Sequence, residues 1–314
     1  MKLLTGIYDS HWGHCWFAKA SGGCFYAVRS LAEGSSLCLM KVPGPEITIS
    51  TQYDCEPLCE LPLPGLHPCH ITVLASQLVI SDYSSGSMTL VGTAADGAPI
   101  KVSEVMKFGG HGPDPQRQPG PHIHSSRISP DGKELVVCDL GCDKIYRFGI
   151  GNGKTDTASR EDFLLPAGCG PRHCAFHPDG RKLYVVTELS DELLVYDYPS
   201  MELLQRLTVN DSRPGGGGHI LFSKGKLYIS SRGGNDGIAI FRTDGKGLAT
   251  AETYLHCGSH PRHFCINPAG DRLAVACRDD DKIEIYDIEP SASMPAAISE
   301  ISVRKPVFVE FENE

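Results

Sequence analysis

Four arginines, a glutamate and a series of histidines stand at matching points of a repeat in this 314-residue chain. His124 and Ser125, Arg172 and His173, Gly218 and His219, and Arg262 and His263 each open a short apolar run, as do Cys69 and His70. Tyr83, Leu140, Glu188, Arg232 and Arg278 each close the run that follows, with Asp82, Asp139 and Thr187 one residue earlier. A carboxylate or imidazole beside guanidinium groups can activate water and stabilise the charge that develops on a carbonyl oxygen. The planar guanidinium fork also grips phosphate or carboxylate. The chemistry on offer is therefore proton transfer beside a site that can hold an anionic group. His124, Arg172, Glu188 and Arg232 differ from their counterparts in the other repeats, which packing alone explains poorly, so they are the candidate catalytic residues. The recurring His70, His173, His219 and His263 read instead as buried histidines bonding to the neighbouring repeat.

The repeat itself is marked by turns. Ser129-Pro130-Asp131-Gly132, His177-Pro178-Asp179-Gly180 and Asn267-Pro268-Ala269-Gly270, with a degenerate copy at Ser223-Lys224-Gly225, follow one another at 48, 46 and 44 residues. Each lies between two apolar runs, as a tight β-hairpin requires. A third run follows in each unit, at 144–148, 193–196, 238–241 and 283–286, and then a less regular fourth. Units of about 45 residues with four strands and no convincing amphipathic helix are the pattern of propeller blades. First strands near 15, 69, 124, 173, 219, 263 and 307 predict a single all-β domain over residues 1–314, a seven-bladed β-propeller. Its closing blade would be made from both termini, Leu3–Tyr8 with Pro306–Phe311, and would be short, because few residues separate Tyr8 from Cys15. In such a blade the start of the first strand and the end of the second lie on one face, which brings the candidate residues to one rim.

Two glycine-rich stretches and one long connection adjoin this pattern. Gly149-Ile150-Gly151-Asn152-Gly153 leads to no helix and reads as a hairpin turn rather than a phosphate loop. Gly215–Gly218 reads as a flexible loop between blades, and the polar, proline-rich 109–121 reads as a wall or lid over the rim.

The stretches 117–125 (RQPGPHIHS), 170–173 (GPRH), 187–190 (TELS), 230–233 (SSRG) and 260–263 (HPRH) resemble the seven-bladed lactonase family, which includes bacterial 6-phosphogluconolactonases and carboxymuconate-cyclising enzymes. With the blade spacing, the resemblance covers about residues 67 to 311. It implies site residues at His124, Arg172, Glu188 and Arg232, and no metal or other cofactor. The substrate it implies is a small anionic one, a phosphorylated sugar δ-lactone. Glu188 or His124 would be the base, and Arg172 and Arg232 would stabilise the oxyanion or hold phosphate. His122, Arg117, His173, Arg262 and Arg278 would be further substrate contacts. Two other readings stay open: a muconate-type carboxylate cyclised at the same residues, and a non-catalytic propeller that displays loops to a partner. The polar rim and an aromatic content of only 8% weigh against the last.

Composition removes other classes. A net charge of −9, with no run of Lys or Arg, speaks against nucleic acid as a partner. No apolar run is long enough to span a bilayer, and the first residues are too short an apolar stretch for a signal peptide, so a cytoplasmic protein, monomeric or weakly self-associating, is expected. The thirteen cysteines are odd in number and lack a CxxC pair, which suits reduced thiols. Cys138 with Cys142, or Cys169 and Cys174 beside His173, read as packing residues rather than metal ligands.

Overall fold

The computed structural model of the chain describes residues 3–7, 16–31, 34–41, 57–210, 215–288 and 295–311. Almost every regular element is a strand; the exception is one 3-10 turn at Arg278–Asp280. Among the described residues six antiparallel sheets of four consecutive strands follow one another along the chain, and a seventh sheet pairs Leu3–Ile7 with Pro306–Phe311. The six first strands are Trp16–Lys19, Pro68–Val73, Ile123–Ile128, Pro171–Phe176, Gly216–Ser223 and Pro261–Ile266, within three residues of the predicted starts. The expected gap at 9–14 lies outside the described residues.

Hairpin chemistry explains the register. The marker turns close with the glycine amide donating to the carbonyl three residues back, from Gly132 to Ser129, Gly180 to His177 and Gly270 to Asn267. Each of these glycines has φ between 70° and 73°, where a Cβ would be strained. The glycine-rich stretch at 149–153 is a two-residue hairpin turn as expected, with Asn152 and Gly153 both at positive φ between Lys144–Gly151 and Lys154–Leu164.

Burial follows the residue types. In the fourth sheet Pro171–Phe176 is buried throughout and Lys182–Thr187 and Glu192–Asp197 nearly so, whereas Leu203–Thr208 is largely exposed. The second and third strands, covered on both faces, carry runs of Val, Leu and Tyr, whereas the fourth is an exposed edge that leaves Leu203 and Leu204 open to solvent.

The strands belong to two compact units. One contains the first three sheets and runs to Arg172. Its sheets pack face to face through Tyr26, Leu37, Leu78 and Ile80 between the first and second, and through Val79, Leu90, Leu135 and Phe148 between the second and third. The other unit starts at His173 and includes the N-terminal strand. Here Tyr184, Val195, Ile229 and Phe241 join the fourth and fifth sheets, and Tyr228, Ile240, Phe264 and Val275 the fifth and sixth. Leu3, Val309 and Phe311 seal the terminal pair against Cys265, Ala274 and Ile283.

Candidate functional site

In the unit that ends at Arg172, His124 owes its placement to a β-bulge. Ile123 pairs with Asp139 and Ser125 with Cys138, so His124 falls between two rungs and is turned out of the ladder. The same skip occurs at Cys69, between the Pro68–Asp82 and His70–Ser81 pairs. The buried His124 ring meets the edge of Tyr83 at 5.7 Å, and Tyr83 stacks on His122 at 4.3 Å with the rings 4° from parallel. His122 is fixed further by its Nδ1, 2.9 Å from the Tyr83 carbonyl, and by its amide, which donates to Asp139 Oδ1 at 2.8 Å.

Asp139 organises the connection before it. Its Oδ1 also accepts the amides of Gly141 and Cys142, and Tyr146 donates to Oδ2 at 2.8 Å. A Cβ on Gly141 would overlap the Gly120 carbonyl, so 109–121 lies directly on this turn. Buried Gln118 anchors it, its Nε2 donating to the Leu140 carbonyl and to Asp143 Oδ1, both at 2.8 Å. The segment expected to be a wall or lid is thus bolted in place, and Arg117 on it is exposed. Asp143 also receives the amides of Gly168 and Gly170, which set the approach to Pro171. Arg172 follows, only 2% exposed, its carbonyl accepting Ser125 Oγ at 2.8 Å.

In the unit that begins at His173, Glu188 and Arg232 meet. Arg232 Nη2 donates to Glu188 Oε2 at 2.6 Å, with the side chains 9% and 14% exposed. The second terminal nitrogen of Arg232, Nη1, is buried without a protein acceptor. The pair forms because Gly216–Gly218 comes in close: a Cβ on Gly217 would overlap the Thr187 carbonyl, and one on Gly218 the Ser230 hydroxyl. This corrects the expectation of a flexible loop. Gly216–Gly218 are the opening of a strand whose Gly216 and Gly217 pair with Arg232 and Ser231.

Arg262, like His124, is skipped by the ladder, between the Pro261–Cys277 and His263–Ala276 pairs. Arg278 is held by Asp279 through Nε at 2.7 Å and Nη2 at 3.0 Å. Arg278 Nη2 also approaches Nδ1 of His260 at 3.3 Å. Burial and the charges of Arg232, Arg278 and Arg262 push His260 down to about 3, against the opposite pull of Asp279. Sequence reasoning does not single out His260, although its place before Pro261, like Gly170 before Pro171, marks the entry to a first strand. His173 lies deeper, its Nδ1 2.9 Å from Nδ1 of His219, while His219 and His263 are 4.3 Å apart by ring centres and the Val309 amide donates to His263 Nδ1. These three buried rings bridge neighbouring sheets.

Every cysteine among the described residues is a free thiol. One group of potential metal donors lies close together there, Cys257, Cys277 and Glu284, within 4.8 Å of one another. The Glu284 carboxylate is already taken up by the Gly258 amide at 2.9 Å, the Tyr286 hydroxyl at 2.5 Å and Lys282 at 2.7 Å, which makes it a hairpin brace.

Consecutive four-stranded antiparallel meanders, with the two chain termini paired in one further sheet, define the β-propeller class here. The chain belongs to the lactonase family of seven-bladed β-propellers, whose sequence pattern matches residues 43–311. The described residues supply six complete blades and the paired termini. The chain is 29% identical over 261 residues to the 6-phosphogluconolactonase of Bacillus subtilis, covering 79% of this chain and 74% of that protein. It is 32% identical over 239 residues to that of Formosa agariphila, covering 71% and 67%. A candidate 6-phosphogluconolactonase from Bacteroides fragilis, of known crystal structure, superposes with a TM-score of 0.88 at 30% identity over 99% of this chain and 97% of the other. No helix among the described residues is long and apolar enough to cross a membrane.

Proposed function

We propose that the chain is a carboxylic ester hydrolase that opens a phosphorylated sugar δ-lactone, as a cytoplasmic 6-phosphogluconolactonase. The observation that carries this reading is the buried Glu188–Arg232 pair at 2.6 Å in a lactonase-family chain. Water adds to the lactone carbonyl as Glu188 accepts its proton. Negative charge gathers on the former carbonyl oxygen, the ring C–O bond then breaks, and the alkoxide that leaves is protonated to give the open hydroxy acid. Arg232 orients Glu188 through Nη2 and offers Nη1 to an anionic oxygen. Arg262 and Arg278 add positive charge for the substrate. His124 and Arg172, carried by the other unit, are proposed on the resemblance as the alternative base and a further anion-stabilising group. The Tyr83–His122 stack beside His124 gives that residue a rigid setting. Free thiols throughout the described residues support a reducing compartment.

The test is hydrolysis of freshly generated 6-phosphogluconolactone above its spontaneous rate, with unphosphorylated gluconolactone measured in parallel. Faster opening of the phosphorylated lactone is expected, and Glu188→Gln should lower kcat by about 10²- to 10⁴-fold, the usual range for general base catalysis, measured on variant protein that circular dichroism shows to be folded. An unaltered kcat would take Glu188 out of the mechanism, and no acceleration of either lactone would overturn the assignment.

A further inference from the structure

His260 is held in a left-handed conformation, φ 57°, immediately before Pro261. The equivalent place before Pro171 has Gly170 at φ 61°. Glycine meets this backbone requirement without any side chain, so the turn itself does not need the imidazole. What the imidazole does follows from its neighbours. A guanidinium has only donors, so the approach of Arg278 Nη2 to Nδ1 at 3.3 Å makes Nδ1 the acceptor and puts the ring proton on Nε2. Asp279, 3.6 Å from Nδ1, is too far to compete for it and is engaged with Arg278. Burial first, and then the charges of the surrounding arginines, keep the ring neutral at physiological pH. Nε2–H is thus a donor of fixed tautomer, buried and without a protein acceptor, and Arg232 Nη1 is a second such donor. Buried donors left unsatisfied by the protein are costly, and such donors where the charges of Arg232, Arg262 and Arg278 all bear on the same ring suit an oxyanion.

We propose that His260 is a substrate-binding residue that donates Nε2–H, as a neutral imidazole, to an oxygen of the substrate's phosphate monoester within the Arg232, Arg262 and Arg278 cluster. The inference rests on the lactonase reading for the identity of the substrate, though not for the anion site itself. A neutral donor adds direction to a site whose charge the arginines already supply. It also leaves proton abstraction to another group, since a ring so hard to protonate is a weak base.

The first experiment uses inorganic phosphate as the probe and needs no turnover. In the whole protein, ¹⁵N-resolved imidazole spectra should show His260 as the neutral Nε2–H tautomer, with its proton moving downfield as phosphate is added. His260→Gly preserves the left-handed turn and should weaken phosphate binding about tenfold, the loss of one hydrogen bond to a charged oxygen. His260→Gln, with an amide N–H in the same region, should recover part of that loss. An imidazolium or an Nδ1–H tautomer, or the same phosphate affinity in His260→Gly, would overturn the proposal. So would a wild-type protein that does not bind phosphate. The second experiment compares lactones: His260→Gly should cut the preference for the phosphorylated over the unphosphorylated substrate about tenfold, mainly through KM. An equal loss on both would overturn the phosphate assignment. If neither lactone is hydrolysed by the wild type while the phosphate titration behaves as expected, the lactonase reading falls and the anion site stands.

Discussion

Asp82 and Asp139 end equivalent second strands, yet their carboxylates have opposite surroundings. Asp139 Oδ1 accepts three backbone amides, whereas Asp82 has only the hydroxyls of Thr89 at 2.6 Å and Ser87 at 3.2 Å on Oδ2, and Oδ1 is buried without a partner. Gly65 is packed directly against the Asp82 carboxyl, closing it off from water. Burial therefore pushes Asp82 up to about 7. Below about pH 4 the acid is protonated in both folded and unfolded chains. Between there and about 7 the folded chain binds more protons, so this residue's contribution to stability is lost as pH rises through that window, at about 1.4 kcal/mol per unit of separation. Asp82→Asn removes the titration while keeping an acceptor for both hydroxyls. The wild-type urea midpoint should fall from pH 5 to pH 8 relative to that of Asp82→Asn, and parallel midpoints would show that Asp82 is not held protonated. The other residue-scale lesson is His260. Its type and its place before a proline are visible in the sequence, but its function-bearing property, a tautomer fixed by Arg278, depends on a contact between residues 18 apart that no spacing announces.

At the scale of the element, the bulge and the glycine strand position the candidate residues. Gly217 lies against the Thr187 carbonyl and, at 2.5 Å for a Cβ, against Val186 Cγ2. Both belong to a fully packed strand, so Gly217→Ala can be accommodated only by moving the strand that pairs with Arg232. A loss of about 1–3 kcal/mol, the usual range for overpacking, is expected in urea denaturation, together with a drop in kcat/KM for the lactone. Unchanged stability would mean the strand opening yields freely. Turns make the blades legible: Pro-Asp-Gly, Asn-Gly and the apolar runs beside them fix hairpins locally, so residue types and spacing alone locate six first strands. The opening of the fifth reads wrongly as a loop because four glycines signal flexibility in a sequence, while here they permit close approach to the Thr187 carbonyl and the Ser230 hydroxyl. The bulges at His124 and Arg262 are equally hidden, since a one-residue skip leaves the alternation of apolar residues almost intact. His124, Arg172, Glu188 and Arg232 are legible because they break a repeat, and the structure brings Glu188 and Arg232 into contact; the ion pair itself requires the fold.

For the whole molecule the proposed activity raises the question of how a chain of net charge −9 would take up an anion. The 38 acidic and 29 basic residues set a diffuse negative field, which acts over distances comparable with the Debye length, about 10 Å at 0.1 M salt. In the proposed site Arg232, Arg262 and Arg278 would act at contact distance, and Arg232 is nine-tenths buried, so their attraction would be screened much less. The two contributions respond differently to salt. If the guanidinium cluster governs binding and the distributed charge only hinders approach, raising NaCl from about 10 to about 100 mM relieves the repulsion while leaving the attraction largely in place. KM for the phosphorylated lactone should then fall a few-fold, with kcat constant and KM for the unphosphorylated lactone nearly flat. A steep rise in KM would mean instead that the attraction is long-ranged and exposed, and that the arginines steer the substrate from solvent rather than holding it in a closed site. The comparison needs an inert anion such as gluconate as a second salt, because chloride that competes directly at the arginines would raise KM in NaCl but not in sodium gluconate.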